Sequence, residues 1–150
     1  YRRPKDDPLP LPYLSSELNT ATGGFDVKIE VSIASEKMRE EGTAPHVLAL
    51  TNMQNLYWTI FQMLTHHTSN GCNLRPGDMM GTGTISGPDE NSLGSILEIT
   101  KRGTDPITLP TGEVRKFLMD GDELVMRGWC EAGGARRIGL GECRAIIVGN

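Results

Sequence analysis

The sequence predicts a mixed α/β fold dominated by β-structure and organised around one central helix. Three observations predict it. Phe25, Val27, Ile29, Val31 and Ile33 alternate with Asp26, Lys28, Glu30 and Ser32, the period of a strand with one buried face. Met53, Leu56, Tyr57, Ile60, Met63 and Leu64 recur at i, i+3 and i+4, the period of a helix. Beyond Gly71, short apolar stretches are punctuated by glycine, proline and aspartate, as short strands and turns are.

Taken in order, residues 1–15 read as an extended strap. Pro4, Pro8, Pro10 and Pro12 fix φ and withhold ladder donors. The strand over 25–33 follows, then a polar loop over 34–46. Thr51 or Asn52 can cap a helix running to about Ser69. Trp58 and Phe61 fall off its main apolar stripe, so the helix is apolar on more than one side and suits a covered, central position or a subunit interface. Asn70-Gly71 supplies a left-handed stop. His66 and His67 lie in the last turn, where positive charge suits the helix dipole. Arg75-Pro76-Gly77-Asp78 is a turn. Residues 79–86, 94–100, 114–118, 123–131 and 137–148 are strand candidates, and Asp120-Gly121-Asp122 is a hairpin turn.

Composition narrows the function. The 150 residues suffice for one domain with a core. A net charge of -4 with scattered basic residues argues against a nucleic-acid partner. No apolar run approaches the roughly 18 residues of a membrane helix, so no membrane partner is expected. The chain opens YRRPKDDP, without Met and without a signal-peptide pattern, and is expected to be a segment of a longer or processed protein. Cys72, Cys130 and Cys143 show no metal-type spacing and read as reduced, buried small residues of a cytoplasmic protein.

Several stretches could carry chemistry. On a strand over 79–86, Met80, Thr82, Thr84 and Ser86 share one face. Such hydroxyls either orient polar substrate groups or form an exposed, Thr-favoured strand surface, and spacing alone favours the second. Glu98 falls between Leu97 and Ile99. It is paired structurally, poised for catalysis, or, as for most glutamates, exposed. Residues 81–87 lack the Gly-Lys-Ser/Thr of a phosphate loop. His66 and His67 are adjacent, about 100° apart on a helix, and do not share a metal. Asp120-Gly121-Asp122-Glu123 lacks the spaced oxygens of a calcium loop. Neither a nucleophile elbow nor a Cys–His pair is evident.

Three stretches together carry a family resemblance: LYWTIFQMLTHHTSNGCNLRPGD (56–78), GTISGPDENSLGS with ILE after it (83–98), and RKFLMDGDE (115–123). With DPLPLPYL (7–14), they make the chain resemble the fumarylacetoacetate hydrolase family over nearly its whole length; it departs at 132–137, in a loop. The resemblance implies a β-rich roll, a homodimer, and a cytoplasmic hydrolase acting on a carbon–carbon bond of a small diketo acid. In the family's best-matching activity, fumarylacetoacetate gives fumarate and acetoacetate at the end of tyrosine and phenylalanine breakdown. A histidine acts as general base on water, and Mg²⁺ or Ca²⁺ assists. By motif position Glu98 corresponds to the glutamate that orients the histidine, and Thr84 to a threonine that hydrogen-bonds substrate. The base, the metal ligands and the substrate-steadying arginine and lysine would lie upstream, since His46, His66 and His67 fall outside those motifs. The chain is therefore expected to be the C-terminal part of the catalytic domain, holding no metal site and inactive alone. The alternatives are a related acylpyruvate or diketo-acid hydrolase, or, for the isolated chain, a non-catalytic dimerisation module.

Overall fold

The computed structural model describes residues 9–149, so the prolines at 4 and 8 lie outside the described residues. From Pro12 the expected strap gives way to a 3-10 turn over Pro12–Leu14 and a short helix α1, Glu17–Thr22. Strand β1, Lys28–Ala34, leads into helix α2, Glu36–Glu40, and strand β2, His46–Asn52. Helix α3, Ile60–Thr68, and the one-turn helix α4, Ile96–Ile99, precede a small hairpin of β3, Ile107–Thr108, with β4, Val114–Arg115. Long strands β5, Glu123–Cys130, and β6, Ile138–Ile146, complete the chain. The main sheet is antiparallel, in the order β2-β1-β5-β6. Strand slightly outweighs helix, 25% against 23%, which settles the class as mixed α/β with β in excess.

The core forms at one end of this sheet. Ile33 and Leu124 are partners across β1 and β5, and Ile33 is fully buried. Met38 of α2 and Leu109 of the β3–β4 turn pack on them, with Leu48, Ile107 and Leu118 around the rim. Leu48 arrives there through a β-bulge. The register passes from Val31↔Ala49 to Ser32↔Val47, which leaves Leu48 as the extra residue.

Beside the apolar cluster lies a polar one. Arg115 donates from Nε and Nη2 to the two carboxylate oxygens of Asp122, each at 2.9 Å. Both side chains are buried, Asp122 completely. Asp122 also accepts from the Met119 amide at 2.9 Å, and Arg115 Nη2 reaches Glu113 at 3.1 Å. Glu113 accepts from the hydroxyls of Thr111, at 2.7 Å, and Ser35. Ser35 is the N-cap of α2, its Oγ accepting from the Met38 amide at 3.1 Å. The network thus fixes the helix that delivers Met38 to the core.

Several sequence expectations change here. The helix expected from 51 to 69 is central in neither length nor place. Residues up to Asn52 pair in β2, a 3-10 turn spans Met53–Asn55, and α3 begins only after Thr59. Thr59 and Gln62 form a capping box, a stronger start than Thr51. Phe61 and Leu64 of α3 are exposed, so it is peripheral. The loop expected at 34–46 contains α2. Residues 79–86 form no strand: Gly77 and Gly83 take φ of +96° and +75°, which break extended pairing. The strand expected at 94–100 is a helical turn, and that at 114–118 shrinks to Val114–Arg115. Asp120-Gly121-Asp122 joins strands of different sheets, so it is a crossing turn, not a hairpin.

Two predictions follow from the buried charges. Asp122→Ala strands the Arg115 guanidinium and is expected to lower the unfolding free energy by about 3–5 kcal/mol in urea titration; a loss below about 1 kcal/mol would show the pair to be dispensable. The second concerns acid. Glu113 titrates at about 2 instead of its ordinary 4.5; the Ser35 and Thr111 hydroxyls hold it down, burial opposes them, and the Arg115 guanidinium adds to them. A folded-state value below the unfolded one stabilises above pH 4.5 and is lost as pH falls toward 2. Asp105, Glu131 and Glu142, each lowered by a cationic partner, act in the same direction. Glu113→Gln is therefore expected to flatten, without abolishing, the stability-against-pH curve in that window, as read by denaturant midpoints at successive pH values.

Candidate active site

Glu98 and Thr84 belong to one folded-back segment. The Gly87 amide donates to the Ser92 carbonyl at 2.8 Å, and the Asp89 amide to Ser92 Oγ at 3.0 Å. Ser92 is buried, and its 3-10 turn, Glu90–Ser92, lies against β2. The return brings Gly94 against the outgoing limb of the loop at Thr84 and Ile85. A Cβ on Gly94 would sit 2.4 Å from the Ile85 carbonyl oxygen and 2.7 Å from Thr84 Cγ2, so only glycine permits this approach.

Two serines hold the Glu98 carboxylate. Ser86 Oγ lies 2.9 Å from both carboxylate oxygens, and Ser95 Oγ lies 2.9 Å from Oε2. Each serine is itself oriented by the backbone: Ser86 Oγ accepts from the Gly94 amide at 3.0 Å, and Ser95 Oγ from the Glu98 amide at 3.3 Å. Each hydroxyl therefore accepts from an N–H and spends its one proton on the carboxylate. Ser95 is also the N-cap of α4, so Glu98 stands in the first turn of a helix, where a negative charge is favoured. The far end of α4 is tied down as well. Thr100, fully buried, donates to the carbonyls of Ile96 and Lys116, at 2.8 and 2.9 Å.

The carboxylate keeps unused acceptor positions, and among the described residues no Lys, Arg or His forms a salt bridge with it. Glu98 is exposed, and so is Thr84, whose hydroxyl has no protein partner among the described residues. Chemically, this is a fixed anionic acceptor on a segment that also carries a free hydroxyl. It can orient an imidazole and hold a polar oxygen, but it has neither base nor nucleophile of its own. A divalent cation does not fit here: among the described residues no three His, Cys, Asp or Glu side chains gather to hold one. Two cavities lie elsewhere, one of about 440 Å³ around Tyr13, Phe25 and Phe61 and one of about 400 Å³ lined by Leu9, Leu11, Trp58, Met63 and His66.

The other histidines are placed differently. His66 stacks on Tyr13 and shares a 2.7 Å hydrogen bond with its hydroxyl. His67 Nε2 lies 3.2 Å from Cys72 Sγ, a Cys–His pair that the sequence reading missed because it closes across the end of α3. Cys72 and Cys143 are exposed and Cys130 half-buried, which corrects the expectation of buried thiols. The serine clamp on Glu98 was also missed, although Ser95-x-x-Glu98 has capping-box spacing and carried the signal.

Gly94→Ala tests the close approach. The added methyl is expected to push Thr84 and Ile85 away, costing about 1–3 kcal/mol and shifting the amide resonances of residues 84–87. A variant with the parent's spectrum and stability would show that the loop is not packed as described.

The comparisons with known proteins cover this whole region. Residues 24–148 match the family model for the C-terminal domain of fumarylacetoacetate (FAA) hydrolase. The fumarylacetoacetase of Homo sapiens is 46% identical over 145 residues, covering 97% of this chain and 33% of that protein. That of Caenorhabditis elegans is 48% identical over 147 residues, covering 97% and 32%, and that of Arabidopsis thaliana is 46% identical over 145 residues, with the same coverage. The chain spans about a third of the length of the curated relatives it matches. It belongs to the fumarylacetoacetate hydrolase family and matches the C-terminal part of these proteins.

Proposed function

We propose that the chain is the C-terminal part of the catalytic domain of a fumarylacetoacetase. The enzyme hydrolyses the carbon–carbon bond between the two acyl halves of fumarylacetoacetate, releasing fumarate and acetoacetate in tyrosine and phenylalanine breakdown. The observation that carries this reading is the 44–48% identity to fumarylacetoacetases across 97% of the chain.

In this reading Glu98 orients and charge-balances a general-base histidine supplied from outside these residues. The serine clamp supports that role, because a carboxylate held by two hydroxyls presents its remaining lone pairs in a fixed direction. Thr84 donates to a substrate oxygen. Its hydroxyl is unengaged among the described residues while its methyl lies against Gly94, which supports that assignment. A divalent cation, Mg²⁺ or Ca²⁺, belongs to the complete enzyme and takes its ligands from residues outside this chain. It would supply charge stabilisation for the leaving enolate.

The enzyme is further proposed to be a cytoplasmic homodimer. Among the described residues no helix is long and apolar enough to cross a membrane. Support for further packing comes from the sheet. The edge strand β6 is exposed along its length, and Met126, Ile138 and Leu140 leave apolar surface open at that side.

Fumarylacetoacetate hydrolysis, followed by loss of ultraviolet absorbance, tests the reading. In the complete enzyme Glu98→Gln is expected to lower kcat/KM by about 10²–10⁴-fold, and Thr84→Val by about tenfold, mainly through KM. The 150-residue chain alone is expected to be silent. A fully active Glu98→Gln enzyme would remove the glutamate from the machinery, and turnover by the chain alone would refute the divided site.

A further inference from the structure

The end of α3 holds a nucleophile and a base that the proposed hydrolysis does not use. His67 occupies the last turn of α3. The chain then reverses: the Gly71 amide donates to the Thr68 carbonyl at 3.0 Å, Gly71 takes φ +85°, and the Cys72 amide donates to Asn70 Oδ1 at 3.2 Å. This reversal returns Cys72 Sγ to 3.2 Å from His67 Nε2, with both side chains open to solvent. We propose that Cys72 is a reactive thiol whose proton passes to His67, and that it adds to electron-poor alkenes conjugated to a carbonyl or carboxylate.

The thiolate is the nucleophile, and an imidazole within hydrogen-bond reach is the group that generates it. Sulfur is polarisable, which suits attack on a conjugated carbon. In the addition a bond forms between Sγ and the β-carbon, and the alkene π pair moves to the α-carbon as an enolate. The imidazolium proton then passes to that α-carbon. A thioether remains, His67 is neutral again, and no oxidant or reductant takes part.

The other thiols provide the contrast. Cys143, like Cys72, is exposed but hydrogen-bonds to no histidine among the described residues, and Cys130 is half-buried. Both thiols are therefore exposed, and the imidazole is what sets Cys72 apart. The fumaroyl group of the substrate proposed above is an alkene of this class. That link rests on the proposed function, whereas the reactivity of the thiol does not.

The full chain is treated with limiting N-ethylmaleimide, and separately with monomethyl fumarate, and each cysteine is followed by peptide mass spectrometry. Cys72 is expected to react at least about tenfold faster than Cys143 with both. His67→Gln is expected to bring Cys72 down to the rate of Cys143 while Cys130 stays protected, which reports an intact fold. Equal rates at Cys72 and Cys143 in the unsubstituted chain overturn the proposal without recourse to any variant. So does undiminished labelling of Cys72 in a folded His67→Gln chain. Rapid labelling of Cys72 in a protein whose complete enzyme does not cleave fumarylacetoacetate would remove the substrate link alone.

Discussion

The rest of the structure depends on the buried ion pair between Arg115 and Asp122. Burying two charges is costly unless every donor and acceptor is used, and here almost all are. Asp122 takes the guanidinium edge and the Met119 amide; Arg115 Nη1 donates to the Val114 carbonyl, and Nη2 reaches Glu113 as well as Asp122. The backbone of Asp122 is committed too, accepting from the Ile147 amide at 2.9 Å. One pair therefore ties β4, the crossing turn, the start of β5 and the end of the chain. Through Glu113 and Ser35 it reaches the cap of α2 and so the position of Met38. Through its neighbour Lys116, whose carbonyl receives the Thr100 hydroxyl, it reaches the end of α4. Glu98 therefore stands on a turn anchored, two residues away, to the same polar cluster that organises the core.

Among the described residues two glutamates are held by serines, and their differences separate structure from chemistry. Glu113 is half-buried, faces a guanidinium, and has its proton affinity driven far down. Its charge is consumed internally. Glu98 is exposed, has two hydroxyl partners and no cation among the described residues. Its orientation is fixed while its charge stays available. That is the arrangement expected of a residue whose electrostatic partner arrives from elsewhere, and it supports dividing the proposed site between this segment and residues outside it.

Strands were legible wherever the pattern ran long. The alternation ending at Ile33 and the segments near 123–131 and 137–148 correspond to β1, β5 and β6 within a few residues. The site-bearing loop was not legible as structure. A short run such as Ser95–Thr100 fits either period, and what decides it is a hydrogen bond from the Glu98 amide to the Ser95 hydroxyl. The same holds for α3, where the Thr59–Gln62 box outweighs an apolar stripe that begins earlier. The Cys72–His67 pair depends on a left-handed glycine between them, so periodicity along α3 gives no sign of it. The proposal of Glu98 and Thr84 comes from family motifs instead, and motif position does not depend on the secondary structure read around it.

Apolar driving force in this chain is concentrated, which explains why polar groups decide so much. The fully enclosed apolar cluster is Ile33, Met38 and Leu109, while Met79, Val148 and Leu9 are almost entirely exposed. Hydrophobic burial is nondirectional and would tolerate several placements of α2 or of the β3–β4 hairpin over so small a cluster. Directional bonds do not. A hydroxyl that must accept from Met38 and donate to Glu113 allows one orientation of α2, and a guanidinium that must meet both oxygens of Asp122 allows one crossing between the sheets. The polar cluster therefore supplies specificity where the core supplies energy. The Ser86–Glu98–Ser95 clamp repeats the device at the surface, with its unspent acceptors turned outward.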